Sequence, residues 1–441
     1  MLSEGDEAGL ADLVTAMHPA STANFIEELD DEELWQLLQY APIDRQASIF
    51  SFLPLQKQAE LVSGLGRDRM SKLLEQMSPD DRVDLLQHLD EEVVENLLPL
   101  VAKADREDIR RLLSYPDGSA ASVMTTDYAT LSSDVTVDEA ITSVRRQAPD
   151  RETIYYIYVV DEYRHLIGIV SLRDLVLAKG GTRVADIMQR DVVSVRADLD
   201  QEEVARHMAR YDFIAIPVVD QQHRLIGIIT FDDLADIMED EATEDFHLAA
   251  AVSPLTHGYH ESTVWTLYWR RAGWLVILVF VNLVSSGVIA AYEETLQTAI
   301  ALAFFLPLLI DSGGNTGSQA ATLIIRALAT EELRLSEWLA TVWKEVGVGL
   351  ALGVTMAVAS FLLGVFRGGV EVGLIVGISM LGIILVTNLI GVLLPFALTR
   401  LRIDPAVASS PLITTIADAT GLLLYFNVAA WIMSNQWFSQ G

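Results

Sequence analysis

Residues 411–420 read PLITTIADAT, flanked by PAVASS (405–410) before and GLLLYFNVAAWIM (421–433) after. The whole stretch is apolar and long enough to cross a bilayer, since about 20 helical residues span the hydrocarbon core. Near its middle stands one carboxylate, Asp418. A charge at that depth costs roughly 2.5–3.5 kcal/mol even on the lenient insertion scale. A span that keeps one needs a reason. Four similar stretches precede it, so the reading of this one decides the architecture of the C-terminal part.

The first of the four, 272–292, reads AGWLVILVFVNLVSSGVIAAY and has 21 residues. The second covers about 296–328 and is expected to be interrupted by LIDSGGNTGSQ (309–319). The third and fourth lie near 346–366 and 373–398, and the fifth near 406–434. A buried soluble core accounts for one such run, not for five in succession. Basic residues set the orientation. Arg270, Arg271, Arg326, Arg334, Lys344, Arg400 and Arg402 fall on one side, and only Arg367 on the other. Positive charge is retained on the cytoplasmic side, so the N-terminal part is expected inside and the C-terminus outside.

Charge separates the two halves. Of 61 acidic and 30 basic residues, 10 and 8 fall in residues 264–441, leaving 51 and 22 for residues 1–263. The first half is therefore strongly acidic. That disfavours nucleic acid and anionic lipid as its partners and favours cations. There is no cysteine, which excludes disulfides and thiolate metal sites. The N-terminus MLSEGDEAGL has no apolar core and is not expected to be a signal peptide.

Polar groups in the spans point to a passage. Glycines and polar side chains at span depth are tolerated where they face protein or water. The second span carries Asp311, Gly313, Gly314 and Asn315, and the fifth carries Ser410, Thr414, Thr415 and Asp418. Ser410, Thr414 and Asp418 are four apart and share one helix face. No lysine or arginine lies at the depth of Asp418. An unpaired acid on a polar face suits a cation path. One carboxylate and a few hydroxyls do not replace the full shell of calcium. They suit hydrated magnesium, which binds through one or two carboxylates.

Two stretches in the first half repeat. VMTTDYATLSSDVTVDEAITSVRR with YYIYVVDEYRHLIGIVSLRDLV is matched by IMQRDVVSVRADLDQEEVARHMAR with FIAIPVVDQQHRLIGIITFDDLA, the Gly-containing anchors lying 59 residues apart. Each copy reads strand, helix, strand, turn, strand, helix. This resembles a tandem pair of CBS domains. The resemblance implies that Arg173 and Asp174, in the turn Gly168–Asp174, contact the ribose and phosphates of an adenine nucleotide such as ATP, with Tyr156 and Phe213 as stacking partners. Upstream, Leu29, Ala41, Leu53, Leu65, Met77, Leu89 and Val101 recur every 12 residues. Helix-starting residues follow several of them, including Asp30, Pro42, Pro54, Ser78 and Asp90, which predicts a small solenoid of short helices.

Acidic clusters recur through these parts: Asp80, Asp81 and Asp84; Asp200 and Glu202; Asp232 and Asp233; Glu241, Glu244 and Asp245. Any one cluster reads as helix capping and a solvated face. Brought together, they repel, and a divalent cation between them reverses the sign.

Taken whole, the chain resembles the MgtE magnesium channels and transporters. The residues that carry this are PLLIDSGGNTGSQ (307–319), PLITTIADAT (411–420) and EATEDFH (241–247). The resemblance implies a multidomain membrane protein. Its parts are an α-helical superhelical N domain (1–118), an α/β CBS pair (119–180 and 181–240), a connecting "plug" helix (241–264) and an all-α pore domain of five helices (265–441). It implies a homodimer in the cell membrane with a pore between subunits, where Asp418 binds hydrated Mg2+. It also implies closure by cytoplasmic Mg2+ held by Asp80, Asp84, Asp200, Glu202, Asp212, Asp233, Glu241, Glu244 and Asp245. Asp311 is an extra acid whose role the resemblance leaves open. No phosphate-binding loop, catalytic triad or zinc spacing is present, so an enzyme is not expected. Two rival readings are a proton- or sodium-coupled divalent exchanger using Asp311 and Asp418, and a non-conducting membrane-tethered nucleotide sensor.

Overall fold

The computed structural model describes residues 7–434, except 65–66, 90, 102, 117, 256–258, 260–261, 294–299 and 331. Leu65 and Asp90 of the 12-residue repeat lie outside the described residues. The chain divides into two compact units, Met1–Glu241 and Ala242–Gly441.

The first unit opens with short helices of 7 to 10 residues, from Glu7–Ala16 to Lys103–Leu112. Helices this short are marginal alone. Each instead packs mainly on the helix two places along, as Pro19–Ile26 does on Ile43–Ser51 and Ile43–Ser51 on Arg67–Gln76. That is a superhelix, and the repeat anchors Ala41, Leu53, Met77 and Val101 fill its single apolar core. Of the expected helix-starting residues, Asp30 caps its helix, its Oδ1 accepting the Glu33 amide at 2.8 Å, whereas Pro42 and Ser78 stand at the same position without a side-chain cap bond.

Two three-stranded sheets follow. In the first, β1 (Tyr128–Leu131) pairs parallel with β2 (Thr153–Val160), which pairs antiparallel with β3 (Leu166–Ser171). In the second, β4 (Val195–Arg196), β5 (Ala215–Val219) and β6 (Leu225–Thr230) repeat the order and directions. The copies interlock. Thr125, ahead of β1, exchanges backbone hydrogen bonds with Ile228 of β6, and Gln189, ahead of β4, does so with Ile169 of β3. Each copy thus completes the other's sheet. The anchor glycines serve this exchange. A Cβ on Gly168 would strike the Met188 side chain, and one on Gly227 would strike Met124.

The last helix of the pair, Phe231–Ala249, corrects one expectation. Among the described residues of 241–264, residues 241–249 continue the helix begun at Phe231, and the next helix starts at Val264. The backbone explains the stop. Ala251 adopts φ 58°, the Val252 amide returns to the His247 carbonyl at 2.8 Å, and Pro254 follows. This is a left-handed C-terminal cap with a proline beyond it.

The second unit holds the apolar helices. Among the described residues, four are long and apolar enough to cross a membrane: Val264–Ala291, Ile300–Ala329, Leu335–Arg400 and Ser410–Ser434. The third has 66 residues, too long for one crossing, and is two spans joined by a reversal at Gly369 (φ 82°, ψ −178°). Only glycine adopts that conformation readily. The arms lie back to back, Gly364 against Gly373 and Gly353 against Leu381. Five crossings result.

The expected interruption of the second span is also corrected. Leu306–Ala329 is one continuous helix through DSGGNTGSQ, and the break falls earlier, between Ala303 and Leu306 beside Pro307. Glycine weakens a helix interior by about 1 kcal/mol, but here close packing offsets that loss. Gly313 lies against Ile383 and Thr387, Gly314 against Thr414, and Gly317 against Ile413 and the Thr387 carbonyl. A Cβ on Gly391 of the fourth span would run into the Gly317 carbonyl. The chain is a multidomain membrane protein with a helical N domain, an α/β pair and a helical membrane domain.

Candidate functional site

Three groups of predicted residues can be placed. In the membrane unit, the second span (Leu306–Ala329) packs on the fifth (Ser410–Ser434), and both pack on the fourth, through Ile383 and Thr387. Asp311 and Asn315 are exposed one turn apart, and the Asn315 amide donates to Asp311 Oδ2 at 3.2 Å. The hydroxyls of Ser410 and Ser318 meet at 3.0 Å, joining the two helices. Thr414 is partly exposed beside Gly314. Gly313 and Thr415, expected on the lining face, are buried within the protomer. Gly313 packs on the fourth span, and the Thr415 hydroxyl returns to the Pro411 carbonyl at 2.8 Å.

Asp418 is partly exposed on the fifth span. Among the described residues it has neither a hydrogen bond nor an ion pair. Asp311 acts on it through space. Two carboxylates and a run of hydroxyls therefore occupy a polar strip at span depth. A strip that presents oxygen acceptors and no cation of its own attracts a hydrated divalent ion.

The second group lies in the first unit. Asp80 and Asp84 come from helix Pro79–Gln87, and Asp233 from the start of helix Phe231–Ala249. They face one another across the contact between the superhelix and the second sheet's helix. Burial, then the neighbouring Asp233 and Asp81 carboxylates, hold the Asp80 carboxyl well above its ordinary range. Asp80 Oδ1 is shut off from solvent with no hydrogen-bond partner. Burial, then Asp80, Asp81, Asp240 and Asp236, push Asp84 up to about 7. Asp233 is raised by burial although the Thr230 amide donates to it at 2.8 Å.

Sequence reasoning missed three members of this group. Glu152, just ahead of β2, is raised to about 7 by burial, then by Asp80 and Asp232. Asp236 and Asp240 are raised by burial, then, in both cases, by other acids of their own helix. The i, i+4 spacing of Asp232, Asp236 and Asp240 was a usable signal. Glu152 belongs to no motif, and only the fold brings it to the others. Among the described residues, no three metal-ligating side chains already converge on one point. Among the described residues, the cluster is like charges held together with no ion pair to a basic side chain.

The remaining acidic candidates are dispersed. Asp200 caps helix Gln201–Tyr211, accepting the Glu202 amide at 2.9 Å, and Glu202 lies 3.5 Å from Arg206. Asp212 ends that helix in the left-handed conformation, φ 53°. Glu241 Oε1 accepts from the Gln201 side-chain Nε2 at 2.7 Å, which places it beside the same helix start. Glu244 is exposed. Asp245, in the membrane unit, is raised by burial, then by Asp404 and Glu244, and lowered by Arg326.

The third group is the nucleotide set. Arg173 and Asp174 are exposed at the start of helix Leu172–Leu177, where Ser171 Oγ donates to Asp174 Oδ2 at 2.6 Å. Tyr156 lies on β2 opposite Ser171. Phe213 stacks on Tyr211 at 5.5 Å, within the second copy. The equivalent turn of the second copy is used differently: Thr230 binds Asp232 and Asp233, and Asp233 joins the acidic cluster.

Comparison with known proteins agrees with these parts. Residues 306–428 match the family model of the MgtE divalent cation transporters. Residues 17–118 match the MgtE intracellular N domain, and residues 120–181 and 184–240 each match the CBS domain. The chain is 44% identical to the magnesium transporter MgtE of Thermus thermophilus over 438 residues, covering 98% of this chain and 97% of that one. It is 38% identical to the magnesium transporter MgtE of Enterococcus faecalis, over 74% of this chain and 72% of that one. Among solved structures, it resembles the cytosolic domain of the Mg2+ channel MgtE in complex with ATP. The TM-score is 0.51 at 42% identity, over 54% of this chain and 96% of that one.

Proposed function

The chain belongs to the MgtE family of divalent cation transporters, and on that premise we propose that it conducts Mg2+ into the cytoplasm and is closed by cytoplasmic Mg2+. It is a transport protein of the cell membrane, not an enzyme. Two copies enclose the path between their second and fifth spans, with the N-terminal domains inside and the C-terminus outside. The observation that carries this reading is Asp418, a carboxylate at mid-span with neither a hydrogen bond nor an ion pair among the described residues. In a two-fold passage two copies attract one hydrated divalent ion, which offsets the insertion cost of each.

The acidic cluster supplies the lock. Asp80, Asp84, Asp233 and Glu152 repel one another when metal-free. A Mg2+ ion that bridges them stabilises the compact cytoplasmic unit by its preference for that form over an open one. Asp200, Glu202, Asp212, Glu241, Glu244 and Asp245 extend the same role to the connector. The Asp80 oxygen without a partner fits a cation. ATP binds at Tyr156, Arg173, Asp174 and Phe213, a reading supported by the ATP complex of the related cytosolic domain.

The test is Mg2+ uptake into vesicles by Asp418→Ala, with size-exclusion to verify assembly. Loss of flux in an intact assembly is expected; undiminished conduction overturns the pore site. The neighbourhood of Asp311 and Asp418 also suits a proton- or sodium-coupled exchanger. Uptake that follows an imposed proton or sodium gradient favours that second reading.

A further inference from the structure

The third and fourth spans share a polar contact that the path between the second and fifth does not itself use. Asn388 is the single carboxamide in either apolar run, 346–366 or 373–398, and stands twelve residues before Arg400, about 18 Å along the helix. It is 2% exposed. A carboxamide at that depth has no water to satisfy it and needs a partner within the protein. That partner is Glu345 of the third span. Asn388 Nδ2 donates to the Glu345 carbonyl at 3.0 Å and to Glu345 Oε2 at 3.1 Å. Gly349, one turn further along, makes room for the amide, since a Cβ there would lie 3.3 Å from Asn388 Nδ2. Among the described residues the Glu345 carboxylate has no ion pair, and its hydrogen bond is this one. A pair of apolar side chains would fill the space at lower cost, because withdrawing a carboxylate from water is expensive.

The preceding residue faces another helix. Thr387 is fully buried, and its hydroxyl donates to the Ile383 carbonyl at 2.8 Å within the fourth span. The Thr387 carbonyl lies 3.1 Å from where a Cβ on Gly317 would stand, and Ile383 Cγ2 lies 2.7 Å from the same point on Gly313. Successive helical residues point about 100° apart, so positions 387 and 388 address two neighbours from one level. The fourth span is held to the third by Asn388 and presses on Gly313 and Gly317 of the second. Asp311 and Asn315 stand on the exposed side of that same stretch.

We propose that Glu345 and Asn388 are positioning residues for transport: their hydrogen bonds fix the fourth span as the backstop against which the second span presents Asp311 and Asn315 to the path. The ion touches neither residue. Glu345 acts as an acceptor, through its carbonyl and its side chain together. One amide bonded at both points sets the rotation and the height of the fourth span at once, where apolar packing alone would let the helices slide in lipid. The proposal rests on the transport reading only for the use made of the second span.

Two measurements on the full chain in vesicles test it. The first needs no transport. The chain has no cysteine, so S318C/S410C places one thiol pair where the two hydroxyls meet at 3.0 Å. The rate of its oxidation by copper phenanthroline reads how the second span sits on the fifth. N388A and E345A should each slow the disulfide by roughly threefold to tenfold, the range that interhelical hydrogen bonds in membranes cover. The double variant should be no slower than either single one, and E345Q, which keeps an acceptor oxygen, should match the parent. Equal rates in parent, N388A and E345A overturn the proposal, and so does E345Q behaving as E345A. The second measurement is the Mg2+ dependence of uptake without the added cysteines. The half-saturating concentration should rise in N388A and E345A and stay at the parent's value in E345Q. Lower maximal uptake at unchanged half-saturation overturns the positioning role, since the pair would then only stabilise the fold. Failure of the unaltered protein to take up Mg2+ would remove the transport reading instead, and the disulfide rates would still decide whether the pair places the second span.

Discussion

At the scale of single residues, the informative groups are carboxylates without a counter-charge. Asp84 and Glu152 are both pushed up to about 7 by burial first and neighbouring acids second. The sign of the pH effect follows. A carboxyl whose folded value is raised holds its proton longer in the folded state than in the unfolded one. Folding stability is then greatest at low pH and falls as pH rises from about 4 through about 7. Thermal melts of residues 1–249 in chelator should show the transition temperature dropping across that window. Millimolar Mg2+ should flatten the drop, and Asp84→Asn should raise the metal-free transition temperature at pH 8. A melt independent of pH in chelator would mean that the carboxylates do not strain the fold.

A second residue-scale expectation concerns Arg173 and Asp174, exposed at the start of the helix after β3, where the guanidinium of Arg173 suits a phosphate. Arg173→Ala should weaken ATP binding about tenfold or more, since a charge-assisted contact contributes roughly 1.5–3 kcal/mol. Calorimetry on the same fragment reads it directly. Absence of binding by the unaltered fragment would leave the paired copies a structural role only. Asp418 was legible in the sequence because an acid stands out against apolar neighbours. Glu152 was not, because its significance arises from a helix some 70 positions earlier in the chain.

Elements were legible where one periodicity ran unbroken. The 12-residue spacing foretold the superhelix, and the five apolar runs foretold the crossings. Boundaries set by tertiary contact were not legible. Glycine-rich DSGGNTGSQ reads locally as a break, yet its glycines are points at which neighbouring helices approach closely. The reversal at Gly369, by contrast, falls in the short stretch between the third and fourth apolar runs, where the sequence already separated them. Gly391→Ala tests the close approach. Its Cβ would meet the Gly317 carbonyl, a backbone atom that does not rotate away. Overpacking of this kind costs about 1–3 kcal/mol. The expected outcome is a lower melting temperature in detergent and reduced Mg2+ flux; unaltered melting would show that the second and fourth spans have room to separate.

For the molecule as a whole, the central expectation is that cytoplasmic Mg2+ closes the path. No single bridging carboxylate need bind tightly if several act together, because each contributes only its differential affinity. Neutralising Glu241, Glu244 and Asp245 together removes both the ion bridges and the repulsion they relieve. Patch recordings of this triple alanine variant should show currents that persist when Mg2+ is raised on the cytoplasmic side. Protease protection of residues 1–241 by Mg2+ should weaken in parallel. Closure identical to the parent's would make these acids ordinary solvated surface.

The interlocked sheets also bear on how the chain is made. Thr125 finds its partner only when Ile228 has been synthesised, some 100 residues later, and at 5–20 residues per second that is a wait of roughly 5–20 s. Until then a nascent edge of β-structure stands open on the ribosome, competent to pair with a neighbouring nascent chain. A stop codon between residues 190 and 228 should therefore yield aggregates rather than a stable half, and slowing translation across that interval should lower the yield of the full chain.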